Sequence, residues 1–335
     1  MTLSGPAESL IVIKDLKKWY PVRKGFLSKL GAKDEFVRAV DGVTLEIRKG
    51  EVLSLVGESG CGKTTLARLM LRLVDPTEGV ITFKGHDLLT ATKREMRKMR
   101  PQLQAVFQDP YASLDPKQTI LQIISEPLSV NKLDKDRRET FNRVALALAA
   151  VGLNPPKSFL GKFPYELSGG QRQRVALARA IVIDPSLIVA DEPVSMLDVS
   201  IRAEILSLML KLKRELNLTY LFITHDLAVA RYISDRMAVM YLGKLVEIGP
   251  AEQVCANPVH PYTKALLLAL PTTDPNKRKV KIGIKGEVPN LTNIPTGCRF
   301  RPRCPYAFEK CMVEPELLRV GGDHYAACYL SDPPS

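Results

Sequence analysis

Residues 57–64 read Gly-Glu-Ser-Gly-Cys-Gly-Lys-Thr, and no other stretch constrains the fold of this chain as strongly. Glycine, four residues, then Gly-Lys-Thr is the spacing of a phosphate-binding loop, in which glycines let backbone N–H groups turn round an anion. An apolar run at residues 52–56 precedes the loop and a helical pattern at 65–73 follows it. Strand, turn and helix N-terminus are the setting that such a loop requires. There Gly57, Glu58, Ser59, Gly60, Cys61, Gly62 and Thr65 shape the cradle, Lys63 reaches the β- and γ-phosphates, and Thr64 ligates Mg²⁺. The competing reading is a glycine-rich αβ turn that binds nothing.

With 335 residues, 45% of them apolar, the chain can bury one large core or two modest ones. Its longest uninterrupted apolar run, residues 144–151, falls far short of a membrane span, and the start of the chain lacks the layout of a signal peptide. A cytosolic protein is expected. In a reducing compartment its six cysteines argue for metal ligation or catalysis before disulfides. The net charge of +12 calls for an anionic neighbour, whether nucleotide, nucleic acid or acidic membrane surface.

In chain order, residues 10–14 read as a short strand, followed by Trp19-Tyr20-Pro21, a basic stretch to Asp34, and a second strand at 37–47. Tyr20 can stack on a base or pack at an edge. Residues 79–83 with the turn Lys84-Gly85 suggest a hairpin, and the strand at 103–107 ends at Gln108, whose amide can reach a metal or a water. Residues 120–151 read as helical, with a charged start at 134–139 and a stop at Gly152 and Pro155-Pro156. Leu167-Ser168-Gly169-Gly170-Gln171 then opens a helix over 171–183. Small residues at a helix start form an anion site, and a second one makes most sense facing a nucleotide held by another subunit. The β-branched run 187–190 is of buried-strand type and ends in Asp191-Glu192. Asp191 can hold Mg²⁺ through its water shell, and Glu192 can polarise an attacking water. After the helix 199–216 and the strand 220–223, His225 falls at the carboxyl edge of an open sheet, where it could contact a γ-phosphate.

Taken together and in this order, the motifs resemble those of the nucleotide-binding subunit of an ABC transporter. Residues 57–64 match Walker A, Gln108 the Q-loop, 167–171 the signature, 187–192 Walker B, 195–198 the D-loop and His225 the switch histidine. The likeness covers residues 10 to about 270 and departs at Met196, where the family usually has a small residue. It implies an α/β fold: a P-loop ABC ATPase core with an antiparallel β subdomain, a helical subdomain at about 109–185 and a Cys-rich C-terminal extension. Residues 1–270 would then be the nucleotide-binding domain and 271–335 the extension. The resemblance further implies ATP and Mg²⁺ as cofactors, with Lys63, Gln108, Glu192 and His225 catalytic. Tyr20 would stack on adenine, and Ser168, Gly169, Gly170, Gln171 and Asp198 would contact nucleotide. Thr64, Gln108 and Asp191 would serve Mg²⁺.

Finer features are similar to the oligopeptide/dipeptide uptake branch: residues 108–116 and 257–263, and the cysteine-bearing tail. The insertion between Tyr20 and residues 38–42 and the 194–200 stretch resemble its F-type ATPase subunit. The implied function is ATP-driven import of di- or oligopeptides by dimer closure. Implied partners are a D-type ATPase subunit, two transmembrane permease subunits and an extracytoplasmic substrate-binding protein, with this chain peripheral on the cytoplasmic face of the membrane. Oligosaccharide and nickel are alternative cargoes. A soluble ABC ATPase acting on nucleic acid is a rival suggested by the charge, although such proteins commonly carry two cassettes and each motif occurs once here. A redox module with vestigial ATPase activity is opposed by the intact Lys63, Glu192 and His225.

The tail holds a basic run at 277–285, read as a solvated linker, and then Cys298, Cys304, Cys311 and Cys328; Cys61 and Cys255 stand apart. Four thiolates suit a [4Fe–4S] cluster or a tetrahedral Zn²⁺. Gaps of five, six and sixteen residues lack the close pairs of zinc knuckles and favour the cluster, as does the association of similar tails in the peptide-uptake branch with iron–sulfur clusters.

Overall fold

The computed structural model describes residues 8–22, 35–109, 113–134, 136–269 and 289–331. Part of the loop after Gln108 (110–112) and the basic run 277–285 lie outside the described residues. The strands are β1 (Ser9–Pro21), β2 (Phe36–Arg48), β3 (Val52–Val56), β4 (Glu78–Phe83), β5 (His86–Asp87), β6 (Leu103–Val106), β7 (Leu187–Asp191), β8 (Thr219–Thr224), β9 (Arg236–Tyr241), β10 (Lys244–Pro250), β11 (Leu318–Gly321) and β12 (His324–Ala326). The chain divides into two compact units, one containing Arg48–Val52 and Thr90–Ile223, the other Glu8–Ile47, Leu53–Leu89 and Thr224–Ser335.

In the first unit β6, β7 and β8 lie side by side and parallel, with β7 in the middle. Leu187, Ile188, Val189 and Ala190 are all buried, which is why that run is apolar without alternation. The predicted single helix over 120–151 is two helices, Ile120–Val130 and Arg137–Ala150. Thr119 opens the first with a capping box, Asn131 and the left-handed Lys132 (φ 59°) end it, and the Asp136 carboxylate caps the second. The charged segment marks a helix boundary, and apolar continuity on both sides concealed it. Val199–Leu216 forms as expected, burying Ile205, Leu208, Met209 and Leu212 at three- and four-residue spacing. It stops at Asn217 in the left-handed conformation.

The second unit contains the sheet β2-β1-β4-β5, with β1 antiparallel to β4. β1 is longer than the expected 10–14 because an irregularity between Lys14 and Lys17, with Asp15 at φ 44°, lets pairing resume and carries Trp19 and Tyr20 onto the strand. Lys84 and Gly85, at φ 49° and 80°, make the hairpin turn between β4 and β5. A second run of strands has the order β11-β12-β10-β9-β3, so tail strands extend the same sheet whose parallel β3–β9 pair feeds the phosphate loop. Beneath that loop Tyr241, Tyr262 and Phe300 pack with ring centroids 4.6–5.5 Å apart, in one core with Val56 and Val239. Each such ring contributes on the order of 2–3 kcal/mol. Phe300 belongs to the tail, so the tail is built into this core.

Glu247, wholly buried, accepts from the Val259 and His260 amides (2.8 and 2.9 Å) and pairs with His324 Nε2 (2.8 Å). His260 in turn caps the helix Pro261–Leu268, its Nδ1 accepting from the Tyr262 amide at 3.1 Å. Burial pushes the His260 pKa down to about 4, against the opposing pull of Glu247. Between about pH 6.5 and 4 the unfolded chain therefore binds a proton that the folded chain refuses. Stability is full above pH 6.5 and is lost on acidification by about 3 kcal/mol. His260→Asn, which keeps a cap, should flatten the denaturant-derived stability curve across that window; identical curves for the two proteins would refute the assignment.

Candidate nucleotide site

The phosphate loop leaves β3 and enters the helix Lys63–Met70. Gly62, the N-cap, has φ 112°, and a Cβ there would run into the Ala39 carbonyl; a Cβ on Gly57 would strike that of Met240. Two of the motif glycines are thus required by close backbone approach as well as by conformation. Lys63 is buried, and its ammonium donates to the carbonyls of Gly57 (2.7 Å) and Glu58 (2.9 Å). Ser59, Gly60 and Thr64 are exposed, and Thr65 is half-buried. Cys61 turns inward, burial pushes its thiol pKa up, and its carbonyl accepts from the Gly243 amide at 2.8 Å. Its backbone shapes the loop, while its side chain is a small core residue. Tyr20 presents a partly exposed ring with the Lys18 ammonium 4.9 Å from its centroid.

In the other unit, Gln108 stands two residues beyond β6 and Glu192 one residue beyond β7. Because those strands are parallel neighbours in register, both side chains emerge at the same carboxyl edge. Gln108 Nε2 donates to Glu192 Oε2 at 2.9 Å. This fixes the carboxylate and leaves the Gln108 amide oxygen for a metal or water. Glu192 adopts φ 48°, a conformation costing about 1 kcal/mol or more for a side-chain-bearing residue. Its amide donates to the Ile223 carbonyl (2.9 Å), and its carbonyl accepts from the Ser195 amide and hydroxyl (3.2 and 3.0 Å). Those bonds hold the strained residue from both sides. Asp191, half-buried, pairs in register with Ile223 at the end of β7. Its carboxylate and the Thr64 hydroxyl are hard oxygen donors suited to Mg²⁺.

Ser168 is the exposed N-cap of Gly169–Ile181, its hydroxyl accepting from the Gln171 amide (3.3 Å) while Gln171 Oε1 accepts from the Ser168 amide (3.0 Å). Gly170 has a packing reason of its own: a Cβ would come within 2.6 Å of the Ile201 side chain. Arg179 of this helix donates to the Ser113 carbonyl (3.0 Å) and pairs with Glu126 (2.6 Å), anchoring the far end of the Gln108 loop. Asp198 is exposed at the start of Val199–Leu216 and makes no side-chain cap there. His225 is exposed just after β8, followed by Asp226, which caps the helix Leu227–Ile233.

The expected [4Fe–4S] cluster, with Zn²⁺ as its alternative, is not supported. Among the described residues no group of three or more His, Cys, Asp or Glu side chains is placed to hold a metal ion, and Cys298, Cys304, Cys311 and Cys328 are free thiols. All four line one cavity of about 20 Å³ walled by Phe300, Tyr306 and Tyr329, room for about one water. Burial raises the thiol pKa of Cys298 and Cys304 and pushes that of Cys328 up to about 11. Sequence spacing counted the thiols correctly and said nothing of their environment.

Contacts that the sequence did not reveal come from residues far along the chain. Arg303 forks onto the Glu58 carboxylate (2.9 and 3.2 Å), and the Glu58 amide donates to the Tyr262 hydroxyl at 2.9 Å. Tyr262 lies in the 257–263 segment singled out above; nothing local marks Arg303.

Residues 40–195 match the ABC transporter family, and residues 246–311 match the oligopeptide/dipeptide transporter C-terminal region. The oligopeptide transport ATP-binding protein AppF of Bacillus subtilis is 48% identical over 328 residues, 96% of this chain and 98% of that protein. The dipeptide transport ATP-binding protein DppF of Haemophilus influenzae is 48% identical over 95% of each chain. Among solved structures, cbiO1 from Clostridium perfringens, part of the ABC transporter complex cbiONQ, superposes with a TM-score of 0.63 at 26% identity, covering 74% of this chain and 91% of that one. The ATP-binding cassette MJ0796, a dimer bound to ADP and Pi, gives 0.60 at 30% identity over 72% of this chain and 98% of that one.

Proposed function

The chain belongs to the ABC transporter family, and on that premise we propose that it is the ATP-hydrolysing subunit that powers uptake of di- and oligopeptides through a membrane permease. It is an ATPase that binds ATP with Mg²⁺, dimerises and works with permease subunits. Among the described residues no helix is long and apolar enough to cross a membrane. In this reading the chain sits peripherally on its permease, at the cytoplasmic face of the membrane. A D-type ATPase completes the dimer, and an extracytoplasmic binding protein delivers the peptide. Residues 1–270 carry the nucleotide chemistry, with 109–185 as the helical arm, and 271–335 form the extension.

The observation that carries the chemical part is the Gln108–Glu192 pair. A carboxylate held as acceptor at a strand end, with an amide beside it, is arranged to take a proton from water. Lys63 and the loop amides hold the phosphates, Tyr20 stacks on adenine, and His225 contacts the γ-phosphate. Thr64, Asp191 and the Gln108 amide oxygen would hold Mg²⁺, which would supply positive charge to offset that of the phosphate oxygens. Ser168, Gly169, Gly170 and Asp198 face the partner's nucleotide, with Gln171 holding the signature turn by its capping box.

The test is uptake in cells that express the chain with its permease pair and partner ATPase. Labelled tripeptide should accumulate in an ATP-dependent manner. Ser168→Arg should keep this subunit's ATP binding nearly intact and cut uptake at least tenfold, because a bulky cation intrudes where a phosphate is bound across the dimer. Uptake of nickel or oligosaccharide in place of peptide would overturn the cargo assignment, and equal loss of binding and uptake would count against a composite site.

A further inference from the structure

We infer that Arg303, in the C-terminal extension, is a positioning residue for the phosphate loop and acts through Glu58. The inference rests on the reading that residues 57–64 hold nucleotide phosphates. All three polar groups of Glu58 are committed. Its carboxylate receives both arms of the Arg303 guanidinium, its amide donates to Tyr262, and its carbonyl accepts from the Lys63 ammonium at 2.9 Å. Arg303 is 7% exposed and lies 5.9 Å from the ring centroids of both Tyr241 and Phe300, so the fork is aimed by packing. The tail guanidinium is therefore one residue removed from the lysine that meets the phosphates.

A second arginine from the same turn reinforces this arrangement. Arg299 bonds the Asp41 carboxylate and the Leu242 carbonyl, and Asp41 also accepts the Trp19 indole N–H at 2.9 Å. Burial alone would raise the Asp41 pKa, but the bonds from Arg299 and Trp19 outweigh it and hold the carboxyl below its ordinary value. Gly243, next to Leu242, donates to the Cys61 carbonyl at 2.8 Å. The turn thus reaches the loop from two directions, and the strand bearing Tyr20 from one. A loop already held in its binding shape spends less free energy on ordering when the nucleotide arrives, which affects ground state and transition state alike. The expected signature is a change in KM with little change in kcat.

The experiment uses the full-length chain, with kinetics in the assembled transporter and Mg-ATP binding read by displacement of a fluorescent adenine nucleotide. Arg303→Met should raise KM about tenfold with a far smaller change in kcat, and Arg303→Lys should fall between, since an ammonium keeps the charge and loses the fork. Glu58→Gln should weaken binding by a similar factor, and the double variant should lose no more than either single one. Wild-type KM in a folded Arg303→Met protein, or losses that multiply in the double variant, would overturn the proposal. If Arg303→Met does not fold, Glu58→Gln decides, and wild-type affinity there overturns it. Lys63→Ala is the separate control: normal nucleotide binding by that variant would refute the phosphate-loop reading itself, whatever Arg303 does.

Discussion

Glu192→Gln lowers steady-state phosphate release by a factor on the order of a hundred or more while Mg-ATP binding persists. The substitution is close to isosteric, and the structure shows why little else should change. The Glu192 backbone is fixed by Ile223 and Ser195 independently of the side-chain end, and the left-handed φ is set by those bonds. A glutamine oxygen can still accept from Gln108 Nε2, as Glu192 Oε2 does at 2.9 Å. What disappears is the negative charge and the ability to take a proton. Phosphate release measured beside equilibrium nucleotide binding separates the two, and wild-type turnover would remove Glu192 from the role of base.

This prediction could be framed from sequence because Asp191-Glu192 follows a run of buried-strand type, and such a run ends at the sheet edge. Local signals of this kind were legible: β3, the helix Val199–Leu216 and the Lys84-Gly85 turn stand where periodicity and turn chemistry put them. The Gln108–Glu192 bond was not, since it depends on β6 lying next to β7, and strand order is not written in either segment. The helix break at 131–136 was hidden because apolar residues continue on both sides of the charged stretch. The fork from Arg303 to Glu58 spans 245 residues, and an arginine between prolines and cysteines carries no mark of its partner. The cysteine tail misled for a related reason. Its spacing counts candidate ligands, whereas ligation depends on the three-dimensional placement of the sulfurs, and these four cysteines border a water-sized space in which no metal-holding group is formed among the described residues.

Lys63→Ala has the opposite signature, losing Mg-ATP affinity by about a hundredfold or more. In the structure the ammonium is buried and spans the carbonyls of Gly57 and Glu58, at 2.7 and 2.9 Å, so its charge is held at the mouth of the loop. Contacts from such a cation to phosphate are charge-assisted, each worth about 1.5–3 kcal/mol, and losing two of them corresponds to about a hundredfold or more in affinity. Alanine also leaves the two carbonyls without their shared donor, which loosens the loop before any nucleotide arrives and adds to the loss. Lys63→Arg should rescue poorly. The guanidinium is a planar fork in place of a compact ammonium, and the buried space that receives it is closed in by the Gly57 and Glu58 carbonyls and the Cys61 sulfur. Titration of Mg-ATP into the purified variants checks both expectations. Affinity within about threefold of wild type for Lys63→Ala would show that the loop does not hold the phosphates, and the ordering of alanine against arginine separates loss of charge from loss of shape.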